Sequence, residues 1–193
     1  MRLFVAVTLP HEARAAIAAE QQKLAAATSG SNSLLKWVKA EQAHLTLVFL
    51  GNVEAGLAPA VIETVGRDVE LAPFDMVLHG VGAFPPRGAP RVLWVGVTEG
   101  AENVTLLQRE IAARVGTLGV PLEQRAFHPH LTIARWRESR PPDRDRAIGA
   151  ASRGALARFR VSSATLYESK LSPAGPAYTA LAHANLTRTA TGS

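Results

Sequence analysis

The segment AHLTLVFLG, residues 43–51, places a histidine and a threonine two positions apart within an otherwise apolar run. An apolar run of this length, ending at a Gly-Asn turn signal, predicts a buried β-strand. Because residues i and i+2 of a strand share a face, His44 and Thr46 should point to one side, and Leu45 and Leu47 to the other. We expect the leucines to pack in the core and the polar pair to face a cavity, since a buried imidazole without partners is costly.

The same His-Leu-Thr sequence returns in PHLTIAR, residues 129–135, where His130 and Thr132 repeat the pattern. The chain has 6 histidines and 13 threonines in 193 residues. Chance alone then gives about 0.4 His-x-Thr matches, so a single match would carry no information. Two copies with the same central leucine, in strands separated by close to half the chain, are much harder to attribute to chance.

The periodicity of the whole chain predicts two passes of strand, helix and strand, with one His-Leu-Thr strand in each pass. An internal duplication that folds about a pseudo-twofold axis would bring the two motif strands into one central cleft. The predicted strands lie at 2–9, within 34–51, and at 74–84, 91–97, 127–136, 159–171 and 177–186. The predicted helices lie at 12–27, 57–72 and 103–119, and Gly119 should end the third of these. Exposed loops are predicted at 28–33 and 137–146, and a short helix should follow the second loop.

Composition predicts one globular domain over residues 1–193, because 47% of the residues are hydrophobic and can form a sizeable core. No apolar run approaches the roughly 20 residues that span a bilayer, and the N-terminus has no cleavage-site pattern, so we expect a cytoplasmic protein without membrane contact. The absence of cysteine excludes a disulfide framework, a thiolate nucleophile and a Cys-based metal site. The net charge of +5, carried mainly by arginine, fits an anionic partner, although base bias in the genome explains it equally well.

A pair of histidines on either side of a substrate is suited to cleaving a phosphodiester without metal, because imidazole titrates near neutral pH. One imidazole takes a proton from the nucleophile while the other gives a proton to the leaving oxygen. The hydroxyls of Thr46 and Thr132 would hydrogen-bond the nonbridging phosphate oxygens. Arg135, three residues after the second threonine, is the cation that we expect beside them.

At these residues the sequence resembles the bacterial RNA 2',3'-cyclic phosphodiesterases, also called 2'-5' RNA ligases, of the 2H phosphoesterase superfamily. The resemblance covers nearly the whole chain. Its blocks are RLFVAVTLP, WVKAEQAHLTLVFLG, FHPHLTIAR and TLYESKLSPAGPAY, and the paired His-x-Thr motif is the superfamily's signature. The resemblance implies an α+β, bilobal fold with two pseudo-symmetric lobes, in which antiparallel sheets face a central cleft and helices lie outside.

The resemblance also implies a role for each site residue. His44 would be the proton donor and His130 the proton acceptor, with Thr46, Thr132 and Arg135 binding phosphate. The implied reaction is hydrolysis of an RNA-terminal 2',3'-cyclic phosphate to a 2'-phosphate, and also the reverse 2'-5' ligation. The implied partners are RNA ends, such as tRNA fragments, or nucleotides, bound by a monomer that needs no cofactor.

Two other functions stay open on the residues alone. A noncatalytic RNA-end binding module would use the threonines and Arg135 but would not need two histidines. A hydrolase of small cyclic nucleotides would use the same residues as the RNA enzyme.

Other side chains suggest further contacts with RNA or metal. His128 and His130 form an H-x-H pair that could chelate a metal, but no third ligand is evident, and a structural use fits better. The tryptophans could stack a base, although ordinary packing explains them as well, and several basic side chains could contact a longer RNA. The residues concerned are Trp37, Trp94 and Trp136 for stacking and Lys36, Lys39 and Arg87 for phosphate contacts.

Overall fold

The computed structural model describes residues 1–29, 34–173 and 175–188. The described residues form an α+β fold with two antiparallel sheets and four α-helices, which confirms the predicted fold class. None of the described helices has the length and apolar character needed to cross a membrane. The strands are β1 (Arg2–Thr8), β2 (Leu34–Trp37), β3 (His44–Asn52), β4 (Phe74–Phe84), β5 (Val92–Val97), β6 (His130–Glu138), β7 (Ala157–Val161), β8 (Ser163–Ser172) and β9 (Gly175–Asn185), and the helices are α1 (His11–Thr28), α2 (Ala58–Gly66), α3 (Ala101–Gly116) and α4 (Pro141–Ala150).

The two motif strands lie in different sheets that contact each other. One sheet has the strand order β3-β1-β8-β9, and the other has the order β2-β6-β5-β4-β7. The first pass of strand, helix and strand is β1-α1-β3 and the second is β5-α3-β6. The motif strands β3 and β6 contact each other across the two sheets.

Each sheet takes strands from both halves of the chain. After the first pass the chain crosses to the second sheet, where β4 pairs with β5, and after the second pass it returns so that β8 pairs with β1. Neither sheet can therefore form from one half of the sequence alone. From this exchange we infer that residues 1–193 make one domain.

The motif strands have nearly the same order of buried and exposed positions. In β3 and β6 the histidine and threonine are half-buried, whereas the leucine between them is fully buried. The alternation predicted for the two motifs is thus present, with Leu45 and Leu131 both 0% exposed. The core leucines hold the strands in place while the polar side chains face the opposite way.

Two predicted strands are each divided in the structure. The segment 34–51 was predicted to hold one strand, but it contains β2 and β3, which lie in different sheets and are separated by a 3-10 turn over Ala40–Gln42. The polar sequence Lys-Ala-Glu-Gln forms this turn, while the chain passes from one sheet to the other. The segment 159–171 is divided in the same way, because β7 belongs to the five-stranded sheet and β8 to the four-stranded sheet.

The prediction of an exposed loop at 137–146 is wrong. Strand β6 continues to Glu138 and helix α4 begins at Pro141. Proline is favourable in the first turn of a helix, because the amide that it lacks would have no partner there. The carboxylate of Asp143 accepts a hydrogen bond from the backbone N–H of Arg140 at 2.7 Å, which caps the new helix.

The other differences concern where helices end. Helix α2 stops at Gly66, because Arg67 is already extended, so the predicted helix over 57–72 is too long. Helix α3 covers Ala101–Gly116, and Gly119 lies in the following turn with a φ of 75°, a conformation that glycine adopts without strain. The predicted loop at 28–33 lies mostly outside the described residues.

Candidate active site

One cleft between the two sheets brings together all five site residues predicted from the sequence. It has a volume of about 290 Å³, and His44, Thr46, His130, Thr132 and Arg135 all line it. Its lining comes from strands and the turns that flank them, and none of the described lining residues is Asp or Glu. The charge of the cleft therefore suits an anion, because its described lining has two arginines and no carboxylate.

The two imidazoles are anchored in the same way. Nδ1 of His44 lies 2.7 Å from the carbonyl oxygen of Gln42, and Nδ1 of His130 lies 2.7 Å from the carbonyl oxygen of His128. In each neutral ring Nδ1–H can donate to the carbonyl, which leaves Nε2 without a proton and able to accept one. The protein thus presents the same ring nitrogen of both histidines for chemistry.

Aromatic rings pack against both imidazoles. The centroid of the His44 ring is 4.7 Å from that of Phe4 and 5.2 Å from that of Tyr178, with an edge-on angle of 90° to the tyrosine. The His130 ring lies 5.2 Å from Phe84, with an interplanar angle of 85°. Both imidazoles on the walls of the cleft are thus packed against aromatic side chains.

The pKa values of both histidines are lowered, by burial in each case and by neighbouring charges as well at His130. Burial lowers the pKa of His44 from its ordinary 6.5, and the hydrogen bond to Gln42 acts against this. Burial also lowers the pKa of His130; the hydrogen bond to His128 opposes the change, while the charges of Arg135 and His128 lower it further. Both imidazoles therefore favour the neutral form at pH 7.

A β-bulge follows each motif threonine and decides which later side chain joins the cleft. In β6, Trp94 pairs with Thr132 and Leu93 pairs with Ala134, so one extra residue is inserted between them. Without that insertion, Arg135 would stand on the face opposite Thr132, because the two are three residues apart. The bulge reverses the alternation and returns Arg135 to the cleft.

The bulge in β3 is equivalent. Ala6 pairs with Thr46 and Val5 pairs with Val48, again with one extra residue. The residue returned to the cleft is Phe49, which stands five positions after its histidine, as Arg135 does in β6.

Sequence reasoning missed several residues of the cleft wall. Arg2 and Phe4 come from β1, while Tyr178 comes from β9. Gln42, whose carbonyl anchors His44, also donates a side-chain hydrogen bond to the carbonyl of Pro176, which ties the turn before β3 to the start of β9. Alternation along β1 would have placed Arg2 and Phe4 on one face, but only the pairing of β1 with β3 shows that this face is the cleft.

The remaining sequence candidates lie elsewhere or act structurally. Within the described residues no group of three His, Cys, Asp or Glu could hold a metal ion, and His128 instead supplies the carbonyl that anchors His130. Lys36 lies directly opposite Arg135 in the β2–β6 pair. The described cleft lining includes none of Lys36, Lys39, Arg87 and the three tryptophans.

The tryptophans pack against neighbouring side chains. Trp94 lies on β5 and is half-buried, with its ring centroid 5.2 Å from Phe84 and 6.3 Å from His130. Trp136 is only 7% exposed, and Trp37 packs against the core. Packing is thus the interpretation that the structure favours over base stacking.

Comparisons with known proteins relate this chain to one protein family. A sequence model described as the 2'-5' RNA ligase superfamily matches residues 10–172. A Geobacillus stearothermophilus protein named RNA 2',3'-cyclic phosphodiesterase is 37% identical over 172 residues, which cover 87% of this chain but only 52% of the relative. This chain therefore spans about half the length of that relative.

Other relatives match over their whole length. An Archaeoglobus fulgidus protein, also named RNA 2',3'-cyclic phosphodiesterase, is 35% identical over 179 residues, which cover 92% of this chain and 96% of the relative. The crystal structure of E. coli LigT complexed with 3'-AMP is similar with a TM-score of 0.75 and 27% identity, covering 97% of this chain and 98% of that one.

Proposed function

Since this chain belongs to the 2'-5' RNA ligase superfamily, we propose that it is an RNA 2',3'-cyclic phosphodiesterase that hydrolyses an RNA-terminal 2',3'-cyclic phosphate to a 2'-phosphomonoester. The observation that carries this proposal is the matched pair of imidazoles. Both are anchored through Nδ1 at 2.7 Å, and both line one cleft without carboxylates among its described residues. Relatives with the name of this activity support the choice of substrate.

The reaction needs one base and one acid on opposite sides of phosphorus. Nε2 of His130 takes a proton from water as the water oxygen bonds to phosphorus, and the P–O3' bond breaks as Nε2 of His44 gives its proton to O3'. The product keeps phosphate on O2'. His130 is then protonated and His44 neutral, and exchange of protons with solvent restores the starting state.

The charges around the two histidines support the assignment of acid and base. The positive charges of Arg135 and His128 lower the pKa of His130, so this imidazole is the better choice for the neutral base. No charged side chain shifts the pKa of His44 in the same way. A bound phosphate anion would favour protonated His44, as the acid requires.

Three further residues bind the phosphate in this proposal. The hydroxyls of Thr46 and Thr132 lie two positions after the histidines on the same strand face and donate to nonbridging oxygens. The guanidinium of Arg135 stabilises the negative charge that grows on these oxygens in the transition state. None of these steps uses a metal ion, and metal independence is part of the proposal.

The same residues permit 2'-5' ligation. In 2'-5' ligation an RNA 5'-hydroxyl takes the place of water: His130 takes its proton as O5' bonds to phosphorus, and the P–O3' bond breaks as His44 gives its proton to O3'. Cleavage of the 2'-5' bond by the 3'-hydroxyl is the reverse of this step and would use the same two imidazoles. We propose that the protein acts on RNA ends, including tRNA fragments, and on nucleotides, in the cytoplasm and as a monomer. The structure of E. coli LigT complexed with 3'-AMP supports nucleotide binding by this fold.

The test is to incubate the purified protein with EDTA and an oligoribonucleotide ending in a 2',3'-cyclic phosphate, and to identify the product by phosphorus NMR. We expect complete turnover to the 2'-phosphate in the presence of the chelator. A 3'-phosphate product would mean that the nucleoside lies in the opposite orientation or that the two histidines have exchanged roles. A strict need for added divalent metal would refute the acid-base mechanism. Binding without turnover would identify a noncatalytic RNA-end module instead.

A further inference from the structure

The cleft contains a second arginine that the proposed reaction does not use. Arg2 lines the cleft from β1, and its guanidinium carbon lies 5.3 Å from the centroid of the Phe49 ring. Phe49 occupies in β3 the position that Arg135 occupies in β6, so the two halves differ here. The four-stranded sheet supplies its cation from the neighbouring strand β1, with the aromatic ring as its support.

The charge of Arg2 is not neutralised by an acidic side chain. Among the ion pairs formed by the described residues, none includes Arg2 or Arg135, and the described cleft lining has no carboxylate. Stacking on Phe49, which is 45% exposed, holds the guanidinium without cancelling its charge. Arg2 is thus oriented and remains available to an anion.

Arg2 and Arg135 enter the cleft from different sheets and affect its titratable groups differently. The charge of Arg135 reaches His130 and lowers its pKa, whereas Arg2 shifts the pKa of neither histidine. Both arginines reach Tyr178, where burial raises the pKa of the hydroxyl and the two positive charges act against the rise. The cleft therefore holds two cations on opposite sheets, and only the charge of Arg135 acts on the pKa of a histidine.

The register of β1 agrees with this arrangement. Thr8 lies opposite His44, and Arg2 lies six residues further along the strand, beside Asn52. Both Arg2 and Phe4 of this stretch line the cleft, and the ring of Phe4 lies 4.7 Å from that of His44. Arg2 therefore enters the cleft from a position farther along β1 than the residues that flank His44.

We propose that Arg2 binds the phosphodiester on the 5' side of the terminal nucleotide, and so makes the site selective for RNA ends over cyclic mononucleotides. The inference rests on the proposed function, because it takes the reacting phosphate to lie between His44 and His130. A nucleoside 2',3'-cyclic phosphate has only the reacting phosphate. A dinucleotide with the same cyclic end adds one phosphodiester, which is the group that Arg2 would hold.

The test compares these two substrates in the wild-type protein and in Arg2→Ala. The measured quantity is the ratio of kcat/KM for the dinucleotide to kcat/KM for the mononucleotide. We expect this ratio to fall about tenfold in the variant, mainly through KM of the dinucleotide. The slope of log KM for the dinucleotide against log salt should decrease by about 0.7, the value for one lost phosphate contact on a single strand. Arg2→Lys should keep part of the selectivity, since it keeps the charge.

The matched control is Arg160→Ala, which removes an arginine on β7 that faces Asp75 at 3.4 Å and lies at the far edge of the five-stranded sheet. This variant should keep the wild-type ratio. An unchanged ratio in Arg2→Ala would overturn the inference, as would an equal loss with both substrates, which would place Arg2 at the reacting phosphate.

A failure of the proposed function gives a different result. If the wild-type protein hydrolyses neither substrate, the hydrolase proposal fails, and the inference is decided by calorimetry with a nucleoside 2'-phosphate and a dinucleotide 2'-phosphate. Arg2→Ala should then weaken only the extra affinity for the dinucleotide. No difference between the wild-type protein and the variant in this comparison would refute the role of Arg2.

Discussion

The indole ring of Trp94 lies directly over Gly82 of the neighbouring strand. A Cβ at position 82 would stand 2.7 Å from Cε2 of the ring and nearer still to two other ring carbons, closer than real Cβ contacts allow. The same indole contacts Phe84 and His130, so the absence of a side chain at Gly82 affects the cleft that His130 lines.

We therefore predict that Gly82→Ala displaces Trp94, lowers the free energy of unfolding by about 1–3 kcal/mol and reduces turnover. Urea unfolding and steady-state kinetics measure the two effects. The control is Gly149→Ala in helix α4, where an added Cβ meets nothing within 4 Å and should stabilise the protein by about 0.5–1 kcal/mol. Equal stability of Gly82→Ala and the wild type would show that the indole moves aside without cost.

The pH dependence follows from the two histidines. The active form of the free enzyme has protonated His44 and neutral His130, so kcat/KM should be bell-shaped and centred between their two pKa values. Burial lowers both values from 6.5, so the centre should lie on the acid side of pH 6.5. The optimum of kcat should lie at higher pH, because the bound phosphate anion stabilises the imidazolium. A kcat/KM optimum above pH 7.5 in a full pH series would contradict this.

Replacing either histidine should remove most of the activity. We expect His44→Ala and His130→Ala each to lower kcat by a factor on the order of 10² to 10⁴, and the double variant to lose less than the product of the two factors. The exposed His11→Ala provides a matched control with wild-type kinetics. Full hydrolysis by either single cleft variant would rule out the paired mechanism.

Replacing a threonine should cost less than replacing a histidine. Thr46→Ala and Thr132→Ala each remove one neutral hydrogen bond to phosphate, and we expect kcat/KM to fall roughly tenfold to a hundredfold. Valine substitutions at the same positions separate the hydroxyl from the shape of the side chain. Wild-type kcat/KM in both valine variants would exclude a phosphate contact from either hydroxyl.

Removing Arg135 should change both binding and protonation. Arg135→Ala should raise KM and lower kcat together, because the charge contacts phosphate in the ground state and in the transition state. It should also move the limb of the pH profile that belongs to His130 toward higher pH, since one of the charges that lower its pKa is lost. Arg67→Ala, at the exposed end of α2, is the control. A pH profile unchanged from the wild type would mean that the charge of Arg135 does not reach the base.

The sequence determined the motif strands and their internal geometry. Alternation alone predicted that His44 and Thr46 share one face and that Leu45 is buried, because side chains in a strand point to opposite sides in turn. The repeat of this pattern at His130 predicted a common cleft, and the structure confirms it. These are local properties of a strand, which the order of polar and apolar residues specifies.

Secondary structure predicted from the local order of polar and apolar residues was wrong where long-range strand pairing or a helix cap determined the structure. The charged segment 137–146 was predicted to be a loop, but Pro141 opens a helix that the carboxylate of Asp143 caps. The apparent single strand within 34–51 divides because its two ends pair with different sheets. Neither outcome depends on hydrophobic periodicity, which was the signal used for the prediction.

The two arginines of the cleft show what only the tertiary structure decided. Strict alternation would point Arg135 away from Thr132, and the bulge that returns it to the cleft arises from how β6 pairs with β5. Arg2 lies 128 residues from His130 in the sequence and enters the cleft because β1 pairs with β3. The sequence specifies which side chains alternate within a strand, but the register between strands specifies which faces meet, and register depends on contacts between residues far apart in the chain.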